Sequence, residues 1–191
     1  MGEEYIDLQV NGYKGVDFSS PELSEDDFLR SAEAVFDSGT VVFLPTIVTG
    51  PEDLYRRNIG IIHDAASSHG LLSQIPGVHL EGPFLSPEPG AVGCHSPEFV
   101  QEPSIPFFDR LYSFAGSFLR MMTVAAERPG APELIRYASG KGVRISLGHH
   151  LAGSADLNAA AEAGAVALTH LGNGCPNLLD RHRNPIWAGL A

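Results

Sequence analysis

The chain alternates short apolar runs with longer stretches in which apolar residues recur at helical spacing. Six runs are mostly apolar and rich in β-branched residues, as expected for strands that are covered on both faces. These runs span residues 5–10, 41–47, 75–80, 119–125, 144–147 and 166–169. The stretches between them predict helices over residues 24–39, 51–70, 104–114, 131–142 and 154–164, the first with Ser24 as its N-cap.

This order of elements predicts an α/β fold in which parallel strands are joined by right-handed crossovers. Two architectures fit: a (β/α)8 barrel, or an open doubly wound sheet. Neither a GxGxxG nor a GxxxxGK[ST] sequence follows a strand, which argues against the usual nucleotide-binding sites. A complete barrel has eight βα units, so this chain would contain about six of the eight.

Composition and charge narrow the class of protein. With 191 residues, of which 43% are hydrophobic, the chain is long enough for one domain with a sizeable core. The net charge of −11 argues against nucleic acid or an anionic membrane as the main partner. No run approaches the roughly 18 apolar residues of a membrane span, and no signal peptide is visible. The two cysteines, Cys94 and Cys175, make no disulfide framework, so we expect a reduced cytoplasmic protein.

Side chains of metal-binding type follow three of the predicted strands. Glu81 follows the third run, the pair His149 and His150 follows the fifth, and His170 lies at the end of the sixth. In parallel α/β folds the carboxyl ends of the strands meet on one face, where sites form. A glutamate with two histidines is a ligand set of catalytic zinc, with one position left for water. Only one of His149 and His150 can point inwards, because successive strand side chains alternate.

Four stretches of the sequence carry a resemblance to a known family. They are YIDLQVNGYKGVDF, HLEGPFLSPEPGAVGCH, LGHH before a predicted helix, and THLGNGCPNLLDRH, in this order along nearly the whole chain. Together they resemble the N-acetylglucosamine-6-phosphate deacetylase family of the amidohydrolase superfamily. The resemblance implies a metal-dependent hydrolase (β/α)8 TIM barrel, with residues 1–191 as a single, partial amidohydrolase domain. It also implies that Glu81, His149 and His170 bind one divalent metal ion, zinc, while His150 points away.

The resemblance further implies a substrate site and a reaction. Cys94 and His95 match the family's loop over the sugar, and Asn173 and Gly174 match a backbone contact with the substrate. Arg181 matches an arginine that meets the substrate phosphate, and a guanidinium fork fits phosphate geometry. The implied reaction, in amino-sugar catabolism, hydrolyses the N-acetyl group of N-acetylglucosamine 6-phosphate to glucosamine 6-phosphate and acetate. The family's catalytic aspartate would lie on a later strand, beyond residue 191, so no catalytic residue is assigned.

The first predicted strand bears on the number of metal ions. Many amidohydrolases have a His-x-His sequence there and hold a second metal, whereas this chain has Gln9 and Asn11. Amides are poor zinc ligands beside imidazole and carboxylate, so the sequence resembles the single-metal branch. The resemblance also implies a homodimer in the full-length form.

Two other functions stay open at this point. The first is a related amidohydrolase that acts on a different amide, against which Arg181 argues because it implies a phosphorylated ligand. The second is a non-catalytic, truncated remnant that binds metal or sugar phosphate, and the absent aspartate is its evidence. In every case six strands cannot close a barrel built for eight, so we expect open edges and association of residues 1–191.

Overall fold

A computed structural model describes residues 4–191 and shows a six-stranded sheet with helices between its strands. The sheet consists of β1 (Tyr5–Val10), β4 (Thr40–Val48), β5 (Val78–Glu81), β6 (Leu119–Val124), β7 (Arg144–Leu147) and β8 (Ala165–Leu168). A hairpin of β2 (Gly12–Tyr13) and β3 (Val16–Asp17) follows β1. The α-helices are α1 (Glu25–Asp37), α2 (Glu52–Ser68), α3 (Ile105–Ala115), α4 (Ala131–Gly140), α5 (Ser154–Ala163) and α6 (Pro185–Leu190). Short 3-10 turns span Pro97–Phe99 and Gly116–Phe118.

The order of the strands decides between the two predicted architectures. Neighbours in the sheet follow the chain order β1-β4-β5-β6-β7-β8, and each neighbouring pair is parallel. An open doubly wound sheet reverses its strand order at a switch point, and no such reversal occurs within residues 4–191. The sheet is therefore a curled, partial (β/α) barrel with β1 and β8 at its two edges, which confirms the predicted fold class.

Local sequence signals account for most of the helices. The Ser24 side chain accepts a hydrogen bond from the Asp27 backbone N–H at 3.2 Å and caps α1 as predicted. Phe28 of α1 and Ile62 of α2 are fully buried in the core that also contains Phe43 of β4. No helix of the described part of the chain is long and apolar enough to cross a membrane. The N-terminal segment in which no signal peptide was visible lies partly outside the described residues.

The start of β5 differs from the prediction, because the strand begins at Val78 and not at residue 75. The Ile75 backbone N–H donates to Leu71 O at 2.7 Å, which forms a turn, and Pro76 has no N–H for a strand ladder. The strand also ends one residue later than predicted, so Glu81 is the last residue of β5 and pairs with strand neighbours on both sides. Its position is therefore set by the sheet and not by the loop that follows.

Two elements were missed from the sequence, the β2–β3 hairpin and α6. The hairpin turns at Lys14 and Gly15, which both have positive φ, of 50° and 83°, as the tight turns of two-residue hairpins require. Helix α6 is capped by Asn184, whose side-chain oxygen accepts hydrogen bonds from the backbone N–H groups of Ile186 and Trp187 at 3.1 and 3.0 Å. An asparagine followed by proline is a helix-start signal that could have identified α6.

Candidate metal centre

The carboxylate of Glu81 is the centre of a buried polar cluster at the carboxyl ends of the strands. Its Oε1 lies 3.1 Å from His149 Nε2 and 2.8 Å from His170 Nε2. Its Oε2 accepts a hydrogen bond from the Asn11 side-chain amide at 3.1 Å. Burial raises the pKa of Glu81, but the contacts with His149 and His170 outweigh it and hold the pKa well below its usual range. The structure thus brings together the three expected ligand residues.

Backbone geometry directs His149 into this cluster. The residue follows β7 and has a φ of +52°, a left-handed conformation that costs a non-glycine residue roughly 1–2 kcal/mol. Gly93 and Gly174, from two different loops, lie against its imidazole. A Cβ on either glycine would come within 2.9 Å of a ring atom of His149. The ring is therefore held in a slot between two stretches of backbone, which we call the glycine slot.

The contact of the second ring nitrogen of His149 determines which nitrogen carries the proton. Its Nδ1 lies 2.8 Å from the carbonyl oxygen of Ala91, and a carbonyl oxygen can only accept a hydrogen bond. In the neutral ring the proton is therefore on Nδ1, and the lone pair of Nε2 faces Glu81 Oε1. Two lone pairs 3.1 Å apart repel each other unless a proton or a cation lies between them. This arrangement fits a divalent metal ion, because histidine ligands commonly donate their other N–H to a carbonyl oxygen.

His170 joins the cluster from the end of β8. It also has a positive φ, of 30°, and the Nε2 atom is the ring atom that faces Glu81. The hydrogen bond with Glu81 raises the pKa of His170 above its ordinary value, against the opposing effect of burial. Its Nδ1 is buried and has no hydrogen-bond partner within residues 4–191.

His95 is a fourth member of the cluster, although the resemblance placed it at the substrate. The side chain is buried, and its Nε2 lies 3.1 Å from His149 Nε2 and 3.9 Å from Glu81 Oε2. Ligand-type atoms of Glu81, His95 and His149 all lie within 4.8 Å of one another, so these residues also form a potential metal-binding group. The Thr49 backbone N–H, however, donates to His95 Nδ1 at 3.2 Å, which leaves the proton of the neutral ring on Nε2. Burial, followed by the charge of His149, lowers the pKa of His95 to about 4, so the ring is neutral at pH 7 and its Nε2 is a donor.

His150 makes its hydrogen bond elsewhere. Its Nδ1 accepts a hydrogen bond from the backbone N–H of Ala152 at 3.2 Å. Burial, and then the charge of His149, lowers its pKa to about 4. Of the two adjacent histidines that the strand pattern left open, His149 is the one that faces Glu81.

A cavity of about 360 Å³ opens onto the cluster and is the candidate substrate site. Of the residues expected at the substrate, Cys94, Asn173 and Gly174 line this cavity, whereas His95 and Arg181 are not among its lining residues. Arg181 is exposed in the loop before α6. Gln9 and Asn11 of the first strand region also line the cavity, as do Cys175 and Asn177, which the sequence reasoning missed. Both missed residues lie in the quoted THLGNGCPNLLDRH stretch, so their closeness to Asn173 was the available signal.

A curled parallel sheet with a Glu–His–His cluster at the carboxyl ends of its strands is a partial (β/α) barrel with a candidate metal site, an arrangement similar to that of amidohydrolase barrels. Within that class the chain is similar, over nearly its whole length, to part of the N-acetylglucosamine-6-phosphate deacetylases, which confirms the resemblance carried by the motifs. It is 35% identical over 192 residues to the N-acetylglucosamine-6-phosphate deacetylase of Bos taurus, covering 97% of this chain and 45% of that protein. It is 33% identical over 188 residues to the N-acetylgalactosamine-6-phosphate deacetylase of Escherichia coli O157:H7, covering 97% of this chain and 48% of that protein.

Solved structures show the same similarity. The N-acetyl-D-glucosamine-6-phosphate deacetylase of Mycobacterium smegmatis matches with a TM-score of 0.85 and 29% identity, over 97% of this chain and 47% of that one. A mutant of that enzyme in complex with N-acetyl-D-glucosamine-6-phosphate matches with the same TM-score, 0.85, and 29% identity, over 97% of this chain and 46% of that one. The chain thus spans about half the length of the relatives it matches. No protein-family model matches the chain.

Proposed function

We propose that this chain supplies the metal centre and part of the sugar pocket of a deacetylase that hydrolyses the N-acetyl group of N-acetylglucosamine 6-phosphate. The observation that carries the proposal is the Glu81 carboxylate, which faces the Nε2 atoms of His149 and His170 in a buried site beside a cavity. The similarity to deacetylases of acetamido sugar phosphates supports the choice of reaction.

Glu81, His149 and His170 are the residues that would hold one divalent metal ion, and we propose zinc because it takes imidazole and carboxylate ligands. When bound, the ion would polarise the amide carbonyl and acidify a water molecule. Asn11 supports a single ion, because its amide is already bonded to the second oxygen of Glu81. Zinc as the metal, a homodimeric assembly and a cytoplasmic location stay predictions.

His95 has a different role from the ligands in this proposal. Its neutral ring carries a proton on Nε2, close to His149, because Nδ1 accepts a hydrogen bond from the Thr49 backbone. Fixed donors in buried sites stabilise the negative charge that develops on oxygen during acyl transfer. His95 does not itself line the cavity, so this role requires that an ion on His149 Nε2 frees the His95 N–H, which would then donate to the carbonyl oxygen as the amide carbon becomes tetrahedral.

The loops around the cavity would hold the sugar. Cys94, Asn173 and Gly174 line the cavity, and we propose that they contact the sugar ring and its acetamido group. We propose that Arg181 meets the phosphate. Asp180 Oδ1 accepts hydrogen bonds at 2.8 and 2.7 Å from the backbone N–H groups of residues 182 and 183, which gives the Arg181 segment a defined turn. A defined turn presents the guanidinium at lower entropic cost than a free loop would.

Calorimetric titration of the zinc-loaded chain with N-acetylglucosamine 6-phosphate tests the proposal. N-acetylgalactosamine 6-phosphate and unphosphorylated N-acetylglucosamine are titrated in parallel, and acetate release is assayed in the same samples. We expect saturable binding that needs both zinc and the phosphate, and that is lost in Glu81→Gln. Binding without acetate release is expected of residues 1–191, because no catalytic aspartate is assigned within them. No binding of either sugar phosphate would overturn the proposal.

A further inference from the structure

Four buried polar side chains form a continuous row of close polar contacts next to the ligand residues. On β5, His79 places Nδ1 2.9 Å from the backbone oxygen of Leu8 and Nε2 2.8 Å from Thr123 Oγ1 of β6. The Thr123 hydroxyl lies 2.9 Å from Thr169 Oγ1, and the Thr169 hydroxyl donates to Ser146 Oγ of β7 at 2.6 Å. All four side chains are buried, with exposures between 0% and 6%. We call His79, Thr123, Thr169 and Ser146 the hydroxyl network.

The backbone carbonyl of Leu8 determines where the protons of His79 and Thr123 lie. The carbonyl oxygen of Leu8 can only accept, so the neutral His79 ring carries its proton on Nδ1. Its Nε2 must then accept the hydroxyl proton of Thr123. Both ring nitrogens of His79 are thereby satisfied, and the ring has no nitrogen left for a metal ion. His79 is therefore not a ligand itself, although it lies two residues from Glu81 on β5.

The network touches every strand that provides a ligand. Thr123 pairs with Glu81 in the sheet. Thr169 directly precedes His170, and its own backbone N–H donates to Leu147 O of β7 at 2.8 Å. The hydroxyl of Thr169 thus ties the residue before one ligand to the neighbouring strands.

The same threonines lie against the segment that carries His149. A Cβ on Gly148, the residue before it, would lie 2.7 Å from Thr169 Cβ and 3.0 Å from Thr123 Cγ2. His149 and His170 both have positive φ, of 52° and 30°. Such strained residues persist only where the surrounding structure holds them. Thr169 contacts or adjoins both strained segments.

We propose that Thr169 is a positioning residue of the metal centre, which holds His149 and His170 in their strained conformations through the hydroxyl network. The inference rests on the proposed function, since it takes these histidines as ligands. Thr169→Val removes the hydroxyl and keeps the shape of the side chain, whereas Thr169→Ser keeps the hydroxyl. Thr46→Val is the matched control, because Thr46 is a fully buried threonine of β4 whose hydroxyl bonds to Leu44 O at 3.1 Å, outside the network.

Cobalt(II) is the probe, because its visible absorption reports both its binding and the geometry of its ligands. We expect Thr169→Val to bind cobalt(II) about 10- to 100-fold more weakly than wild type, with a changed spectrum, as for other residues that orient ligands. Thr169→Ser and Thr46→Val should match wild type in affinity and spectrum. The melting temperature of each metal-free variant is measured alongside.

A merely structural role gives a different result. In that case Thr169→Val and Thr46→Val would lower the melting temperature alike and leave cobalt affinity and spectrum unchanged, which would overturn the inference while the proposed function stands. If wild type binds no cobalt(II) or zinc, the proposed function fails and the inference falls with it. Should Thr169→Val not fold, Ser146→Ala removes the last hydroxyl of the network with a smaller change. Unchanged cobalt affinity in Ser146→Ala would also overturn the inference.

Discussion

The proton positions on two neighbouring histidines predict that His149 is a metal ligand and His95 is not. In His149 the Nδ1 proton is hydrogen-bonded to Ala91 O, so Nε2 has a lone pair, which faces Glu81 and the N–H of His95. In His95 the Nδ1 atom accepts the N–H of Thr49, so Nε2 carries the proton. Replacing each ring by glutamine should therefore have very different effects on metal binding, although the two Nε2 atoms are only 3.1 Å apart.

The expected difference follows from the binding free energy of zinc. Sites with four protein ligands bind it with about 10–16 kcal/mol, so that one ligand contributes roughly 2.5–4 kcal/mol. At about 1.4 kcal/mol per factor of ten, His149→Gln should weaken zinc binding roughly 60- to 700-fold. We expect His95→Gln to weaken it less than about tenfold, because an ion on His149 Nε2 would replace the His95 contact there.

Competition with a chromogenic chelator measures both affinities on the same scale. His63→Gln is the control, since His63 is an exposed histidine of α2 and should leave zinc affinity unchanged. Equal losses for His95→Gln and His149→Gln would refute the reasoning from the ring protons. They would make Glu81, His95 and His149 the ligand group, a set whose atoms are close enough to bind an ion.

The remaining predictions concern the number of ions, the phosphate, the core and the edges of the sheet. A zinc titration should give one tight equivalent per chain, since the Asn11 amide is used by the ligand carboxylate, and two equivalents would contradict this. Arg181→Ala should weaken binding of the 6-phosphorylated sugar by roughly 1.5–3 kcal/mol and hardly affect the unphosphorylated one; equal losses in calorimetry would assign Arg181 to the loop. Tyr55→Phe leaves the buried Gly50 N–H without its 3.2 Å acceptor. It should lower the free energy of unfolding by about 1–3 kcal/mol, or the melting temperature by roughly 2–12 °C, and an unchanged melting curve would contradict it. Val166 is 59% exposed on the edge strand β8, so Val166→Lys should reduce the self-association expected of residues 1–191 in sedimentation experiments. Unchanged association would show that the β8 edge is not the surface through which the chains associate.

Elements that depend on nearby residues were predictable from the sequence. The strands β1 and β7 have the predicted bounds, and Ser24 caps α1 as expected. The predicted start of β5 was wrong by three residues, because Pro76 and the turn at Ile75 override an apolar run. The pattern of apolar residues indicates which residues are buried, whereas strand pairing also needs backbone N–H groups that are free to bond on the correct side.

Part of the candidate site was likewise predictable from the sequence, and part was not. Convergence of Glu81 with histidines was predictable, because the carboxyl ends of parallel strands meet at one face. The place of His95 and the proton positions were not predictable. They depend on Thr49, which is 46 residues from His95, and on Ala91, which is 58 residues from His149. No local pattern reports contacts over such separations, and the roles of the individual site residues stay predictions.

The glycine slot around His149 connects the metal site with the cavity beside it. Gly93 and Gly174 belong to different loops, and both residues also line the cavity. The backbone that confines the ring is therefore the backbone that meets a molecule in the cavity. A molecule that draws the two loops together also narrows the slot and restricts the ring, so that occupation of the cavity and occupation of the metal site are linked. Since such coupling is reciprocal, the ion must then strengthen binding in the cavity by the same factor by which the cavity ligand strengthens binding of the ion.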